Sequence, residues 1–295
     1  MLTVAVTGAT GAQGGATARA LLAAGHHVRA LTRHPGSPAA GTLRELGAEV
    51  RHADFDDRAS LDDALAGADS LFAVTTPFGT DIATEVRQGK ALVDAAAAAR
   101  VGHIVFTSAA HADRDTGVPH YESKHLIERH LAGSGVPWTV IAPAAFMDNY
   151  AGGWTLDGLR TGTFAWPMPA DQPLTLIPAA DIGAFAALAL HHRDRFAGRR
   201  IDIASDERTP GEIARILASA IGRPIAHQEV PLAYVRSRSA DLAAMFGYFT
   251  AVGLDVDVAA LRRDHPEIAW TSFADWATAQ DWSALLTATT ANAHH

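Results

Sequence analysis

The sequence predicts an α/β fold: a doubly wound parallel sheet followed by a smaller, mostly helical C-terminal lobe. Three observations predict it. Residues 2–7 form an apolar, β-branched run of the kind found in buried parallel strands, and a glycine-rich turn and a helical stretch, Ala16 to Ala24, follow at once. Strand-like and helix-like segments then alternate, with connections of a few residues, as far as Asn149. Beyond Asn149 the alternation stops and the composition turns to Gly, Pro, Trp and Thr. The first two features together describe an arrangement of the Rossmann type.

The turn after the first strand reads Thr7-Gly8-Ala9-Thr10-Gly11-Ala12-Gln13-Gly14-Gly15, with Gly8, Gly11 and Gly14 spaced by three. A strand, a glycine turn and a helix N-terminus together form a ready anion site, because backbone N–H groups and the helix dipole both favour negative charge there. Gly8 permits the tight turn, Gly11 lets a pyrophosphate approach the backbone, and Gly14 lets the helix pack close to the strand. Dinucleotide binding is therefore expected.

The later strand ends supply the remaining candidates. His27 to Thr32 reads as the second strand and ends at Arg33. An acidic residue there would select a ribose 2′-OH, whereas Arg33 suits a 2′-phosphate and so NADP(H). Ala48 to His52 is the third strand, followed by Asp54 and Phe55; Asp56 and Asp57 read as caps for the next helix. Ser70 to Val74 is the fourth strand, and Thr75, Thr76 and Phe78 after it would line the groove at the switch point of the sheet. A long helix over Ile82 to Ala99 carries Lys90, and Val101 to Thr107 is the fifth strand, closed by Ser108. The helix from His120 to Leu131 carries Tyr121 and Lys124, and Trp138 to Ile141 is the sixth strand, running into Pro143 and Phe146.

Residues 1–150 thus read as the nucleotide-binding domain, with 181–206 returning to its sheet through a helix begun at Ala180 and a strand over Arg200 to Ile203. Residues 151–180, read as loops with short strands, and 207–286, mostly helical from about 225, form the smaller substrate or partner lobe; 287–295 read as a tail, with His294 and His295 set aside. Thr209 and Glu212 have the spacing of a capping box.

Composition narrows the function classes. A net charge of −8 with no basic run argues against direct nucleic-acid contact. Every apolar stretch is interrupted by Asp, Arg, Gly or Pro, so no membrane span is expected. No leader is expected either, because the N-terminus runs straight into a strand. The absence of cysteine excludes disulfides and thiolate chemistry and suits a cytoplasmic chain. No histidine spacing suggests a metal site, and no G-x-S-x-G elbow suggests a serine hydrolase. Only Lys90 and Lys124 are lysines among 24 basic residues, so each is a candidate for work that a guanidinium cannot do.

The motifs TGATGAQGG, TRHP, EVRQGK, HYESK and PAAFMDN occur in that order, and Asp241-Leu242-Ala243-Ala244-Met245-Phe246 comes late in the chain. Together they resemble the NmrA-like family of atypical short-chain dehydrogenases, including its branch of NADP(H)-binding redox sensors. The resemblance implies NADP(H) contacts at Gly8, Thr10, Gly11, Gln13, Gly14, Arg33, Lys90 and Lys124, and an acidic position facing adenine that Asp54 and Phe55 would fill. Catalytic short-chain dehydrogenases place a tyrosine four residues before the lysine. Here His120 holds that position and Tyr121 lies one residue later, so standard ketoreductase chemistry is in doubt. Lys124, Tyr121, His120 and Ser108 are the catalytic candidates. Two functions follow: an NADPH-dependent reductase of a small carbonyl, quinone or conjugated substrate, or a non-catalytic redox sensor acting through a protein partner. A homodimer is one arrangement the sequence allows.

Overall fold

The structure, a computed structural model, describes residues 1–287. In chain order its strands are β1 (Thr3–Val6), β2 (His27–Thr32), β3 (Glu49–His52), β4 (Ser70–Ala73), β5 (His103–Thr107), β6 (Trp138–Pro143), β7 (Ala145–Phe146), β8 (Thr163–Trp166), β9 (Leu174–Ile177), β10 (Arg199–Ile203), β11 (Asp206–Arg208) and β12 (Ala226–Glu229). The helices used below are α1 (Ala12–Ala23), α2 (Pro38–Glu45), α3 (Arg58–Leu65), α4 (Ile82–Ala98), α5 (Pro119–Ala132), α6 (Gly153–Arg160), α7 (Ala179–His191), α8 (Arg193–Phe196) and α9 (Pro210–Ile221). The chain divides into two units. One comprises Met1–Arg114, His120–Ala142 and Ala179–Asp202; the other comprises Asp115–Pro119, Pro143–Pro178 and the chain from Ile203 onward.

The first unit is built on a sheet in the order β10-β6-β5-β4-β1-β2-β3. The β3-β2, β2-β1, β1-β4, β4-β5 and β5-β6 pairs are all parallel. The strand order reverses between β1 and β4, the switch point where open α/β sheets bind ligands beyond the strands' carboxyl ends. Val4, Ala5, Val6, Leu71, Phe72, Ile104 and Val105 are all fully buried, which is why these strands read as continuous apolar runs rather than alternating ones. Helix α1 packs on α7 at close range: a Cβ on Gly183 of α7 would lie 2.5 Å from the Ala16 carbonyl carbon. Small residues on both helices permit that approach.

Helix α1 begins at Ala12, four residues earlier than the sequence suggests. Gly14 and Gly15 are weak helix formers, but both are buried in its first turns, so packing outweighs propensity there.

The second unit holds two small sheets, β11-β9-β7 and β12-β8. One expectation is corrected within it and one is refined. The stretch 151–180, read as loops and short strands, does carry the short strands β8 and β9, but it also contains the helix α6, which follows a 3-10 turn at Met147–Ala151. Thr155 and Leu159, four residues apart, are the buried face of α6, a period concealed by Gly152, Gly153 and Gly158. The region after 225 is mostly helical, as expected, but it opens with β12, which pairs in parallel with β8; a four-residue strand with no apolar alternation leaves no signal. Thr209 does cap α9 in a capping box with Glu212. Around Tyr150, Phe164 and Trp166 pack with ring centroids at 5.7 and 4.8 Å, and Phe273 packs edge-on at 5.2 Å. No helix among the described residues is long and apolar enough to cross a membrane, and no group of residues there could hold a metal ion. The tail and its two final histidines lie outside the described residues, except for Thr287 at the end of the last helix.

His103 shows how a polar group is carried in the sheet. The Thr139 hydroxyl donates to the Phe196 carbonyl at 2.9 Å, so it accepts from His103 Nε2, also at 2.9 Å. Burial and nearby Arg193 push the His103 imidazole down from 6.5 to about 4. Below pH 6.5 the unfolded chain therefore takes up a proton that the folded chain refuses. The stability contributed here is present above 6.5 and lost as pH falls toward 4. Replacing His103 by Gln should remove roughly 2–3 kcal/mol of the wild type's acid-side loss between pH 7 and 4. Urea unfolding at both pH values checks this, and equal pH slopes in the two proteins would contradict it.

Candidate functional site

The β1–α1 turn has the form the glycines imply. Gly8 has φ +58°, a left-handed conformation that favours glycine, and a Cβ there would lie 2.6 Å from Val74 Cγ1. A Cβ on Gly14 would lie 2.3 Å from the Gly8 carbonyl oxygen, so α1 can seat against the turn only with glycine at that position. A Cβ on Gly11 would meet only that same oxygen, at 3.4 Å. Gly8, Thr10, Gly11 and Ala12 are exposed. Gly11 is the N-cap residue, and no side chain caps the helix, which leaves the first N–H groups facing the turn. Gln13 is half-buried and its side-chain carbonyl accepts from the Thr107 hydroxyl at 2.6 Å, tying α1 to the end of β5.

At the ends of β2 and β3 one charge, that of Asp56, is arranged differently from the expectation. Arg33 is exposed and makes no ion pair with a described residue. Asp54 Oδ1 accepts the backbone N–H of Asp56 at 3.0 Å, and the Asp54 backbone N–H donates to Ser60 Oγ at 2.9 Å. Phe55 packs against the hydrophobic core. Asp57 caps α3 as expected, accepting from Ala59 and Ser60. Asp56 does not cap; it pairs with Arg87 and accepts from Gln88 Nε2 at 2.8 Å. These contacts, hydrogen bonding from Arg87 above all, hold its carboxyl below the usual carboxylate range. Its partners lie on α4, some thirty residues away, where local spacing gives no hint of them.

Lys124 lies on α5 and is buried. Its ammonium donates to Glu85 Oε1 at 2.6 Å, to Thr75 Oγ1 at 3.1 Å and to the Thr75 carbonyl. All three of its protons are thus taken within the protein. Glu85, on the first turn of α4, is fully buried. It accepts from Thr75 Oγ1 at 2.9 Å and from Ser123 Oγ. Burial pushes the Lys124 ammonium below its ordinary value, and the Glu85 carboxylate is the main opposing influence. Glu85 and Ser123 were not among the sequence candidates. The only available signal was the long helix carrying Glu85 before Lys90, and spacing alone does not pair α4 with α5.

Ser108 closes β5 and donates to Glu128 on α5. Glu128 also accepts from Arg200 Nε at 3.1 Å, and Arg200 further binds Asp202, Asp113 at 3.3 Å and the Ala109 carbonyl at 2.9 Å. Burial opposes the Arg200 charge, but Glu128, Asp202 and Asp113 outweigh it and hold the guanidinium above its ordinary value. His120 and Tyr121 are buried and meet edge to face at 4.8 Å; Phe78, otherwise exposed, lies 5.8 Å from the His120 ring. Thr76 accepts the backbone N–H of Phe78 at 3.2 Å. Lys90 is half-buried on α4 and forms no ion pair with a described residue. Thr75, Lys124, His120, Tyr121 and Ser108 therefore gather around β4, β5 and α5. Pro143 and Phe146 belong to the second unit. A recess of about 640 Å³ in the first unit lies at the opposite, amino ends of the strands, against Leu2, Asp69, His103 and His191.

A model of the NmrA-like family matches residues 2–285. The chain belongs to the NmrA-like family. The (4-alkanoyl-5-oxo-2,5-dihydrofuran-3-yl)methyl phosphate reductase of Streptomyces griseus is 33% identical over 232 residues, covering 77% of each chain. The NADPH-dependent quinone oxidoreductase of Escherichia coli, solved with NADPH, is 25% identical with a TM-score of 0.78, covering 93% of this chain and 98% of that one. NmrA, a negative transcriptional regulator solved with NADP, is 22% identical with a TM-score of 0.76, covering 96% and 99%, a likeness of fold alone. The strand order of this NmrA-like chain around the glycine turn matches the doubly wound arrangement expected from sequence.

The two glycines make a contrast that can be measured. Gly14→Ala should destabilise the chain by about 1–3 kcal/mol, because backbone must move to admit the methyl group. Gly11→Ala, at an open position, should cost under about 1 kcal/mol. Denaturant unfolding of both variants checks the difference; equal losses would show that the turn is not packed as described.

Proposed function

We propose that this chain binds NADP(H) over the β1–α1 turn and uses it to reduce a small carbonyl, quinone or conjugated substrate. The observation that carries the reading is the uncapped N-terminus of α1 beside the exposed Gly8, Thr10 and Gly11. The S. griseus and E. coli relatives, both named reductases, support it. The residues fit the cofactor. The free N–H groups and helix dipole suit a pyrophosphate, and Gly11 presents no side chain to block it. The unpaired Arg33 guanidinium, at the end of β2, suits a ribose 2′-phosphate. Lys90 is a second cation without a described partner, on α4.

A bound dihydronicotinamide supplies the hydride; the protein supplies orientation and electrostatics. The buried Lys124 ammonium lies at the carboxyl end of β4, where its charge, partly offset by Glu85, favours a developing enolate or alkoxide over the neutral carbonyl. The Ser108 hydroxyl proton is engaged by Glu128. His120 or Tyr121, which meet edge to face at the start of α5, is the proton donor in this reading. One observation favours a second reading, a non-catalytic protein that reports NADP(H): Lys124 and Ser108 direct all their donors inward.

Calorimetry with NADPH and NADH tests binding and preference together. Arg33→Ala should weaken NADPH by about 10- to 100-fold, the worth of one charge-assisted hydrogen bond, and leave NADH little changed. Gly11→Val should abolish both. NADPH oxidation across quinones, enones and aldehydes then separates the readings. Turnover supports the reductase, binding without any turnover supports the sensor, and a chain that binds no dinucleotide overturns both.

A further inference from the structure

We propose that Glu85 is the positioning residue of Lys124, forming with Thr75 and Ser123 a socket that holds the ammonium at the end of β4. The proposal rests on the NADP(H) reading above, since the socket has a function only if Lys124 serves a cofactor or substrate. Glu85 reaches Lys124 across two helices. A Cβ on Gly89 of α4, one turn beyond Glu85, would lie 2.4 Å from Ile127 Cδ1 of α5, one turn beyond Lys124. The missing side chain at Gly89 lets the helices close far enough for a 2.6 Å ion pair.

The socket is complete on its own terms. Glu85 Oε1 takes protons from Lys124 and Thr75, and Oε2 takes one from Ser123. The Thr75 hydroxyl donates its single proton to Glu85 and so accepts from Lys124. Every donor has an acceptor, the Ser123 hydroxyl having the His120 carbonyl at 3.0 Å as a second one, which fixes the ammonium without leaving a donor of the socket unmatched. The groups facing Lys124 come from each element around it. Glu85 faces it from α4, the Thr75 carbonyl and hydroxyl from the end of β4, the Phe106 ring from β5 at 5.8 Å, and Glu128 from one turn further along α5. Glu128 is itself held by Arg200. Glu85 is thus the carboxylate in direct contact with Lys124. Without it, a desolvated ammonium would lose its proton far more readily.

The chain has only two lysines, which makes a direct test practical. Protein carrying isotope-labelled lysine gives two side-chain NMR signals, and Lys90 serves as the internal control. Glu85→Gln keeps the shape and can still accept from Lys124 and donate to Ser123. In this variant the Lys124 signal should titrate at least about one pH unit lower than in wild type, a tenfold change in proton affinity, with Lys90 unmoved. Glu85→Asp, which restores the charge on a shorter arm, should recover part of the shift. In assays, the alkaline limb of the kcat profile should move to lower pH in Glu85→Gln, and NADPH should bind several-fold more weakly. A Lys124 signal that titrates identically in wild type and Glu85→Gln would overturn the socket. A wild-type chain that binds no dinucleotide while its Lys124 signal still shifts in Glu85→Gln would instead overturn the function the socket is assigned.

Discussion

A methyl group at Gly14 would lie 2.3 Å from the Gly8 carbonyl oxygen, and much of the first unit depends on how little room that leaves. The contact fixes where α1 begins. It turns the helix's first N–H groups toward the exposed turn, with no side chain to satisfy them. The same helix packs on α7 through Ala16 and Gly183 and is tied to β5 through Gln13 and Thr107. The turn proposed as the anion site is thereby held by the core itself. Rigid placement matters because an anion site gains affinity only if its donors are already arranged when the ligand arrives.

Helix α5 poses the opposite problem. It buries two opposite charges one turn apart, Lys124 and Glu128, and each is matched by a residue from elsewhere in the unit. Lys124 is met by Glu85 of α4 and Thr75 after β4; Glu128 is met by Arg200 of β10 and Ser108 after β5. Buried ion pairs add little net stability, but removing one partner is costly because the other charge is stranded. Such pairs therefore do more to specify position than to stabilise. Here they set the helix's register against β4 and β5, whose carboxyl ends carry the candidate chemistry.

The fold was legible because its signals are local. Buried parallel strands read as apolar runs, and the glycine turn, the Asp57 cap and the Thr209–Glu212 capping box are all short-range patterns. The start of α1 was misread because packing overrode the poor helix propensity of Gly14 and Gly15. Helix α6 was missed because glycines broke up its period, and β12 because a short strand has no alternation to detect. At the site, Lys124, Ser108, His120 and Tyr121 stood out as residues, but their partners did not. Glu85, Ser123, Glu128 and Arg200 are defined by which helix and strand come together. Asp56 was misassigned for the same reason: its partner Arg87 comes from α4, 31 residues further along the chain. Spacing along a chain reveals a helix face or a cap, whereas a buried ion pair between elements appears only once those elements are packed.

The central claim is that the N-terminus of α1 is the anion site of a dinucleotide. The most direct measurement is a crystal structure of the chain with NADPH. The account predicts the pyrophosphate within hydrogen-bonding distance of the backbone N–H groups of Ala12, Gln13 and Gly14, with the 2′-phosphate against Arg33. A pyrophosphate bound elsewhere, with those N–H groups turned to water, would contradict it.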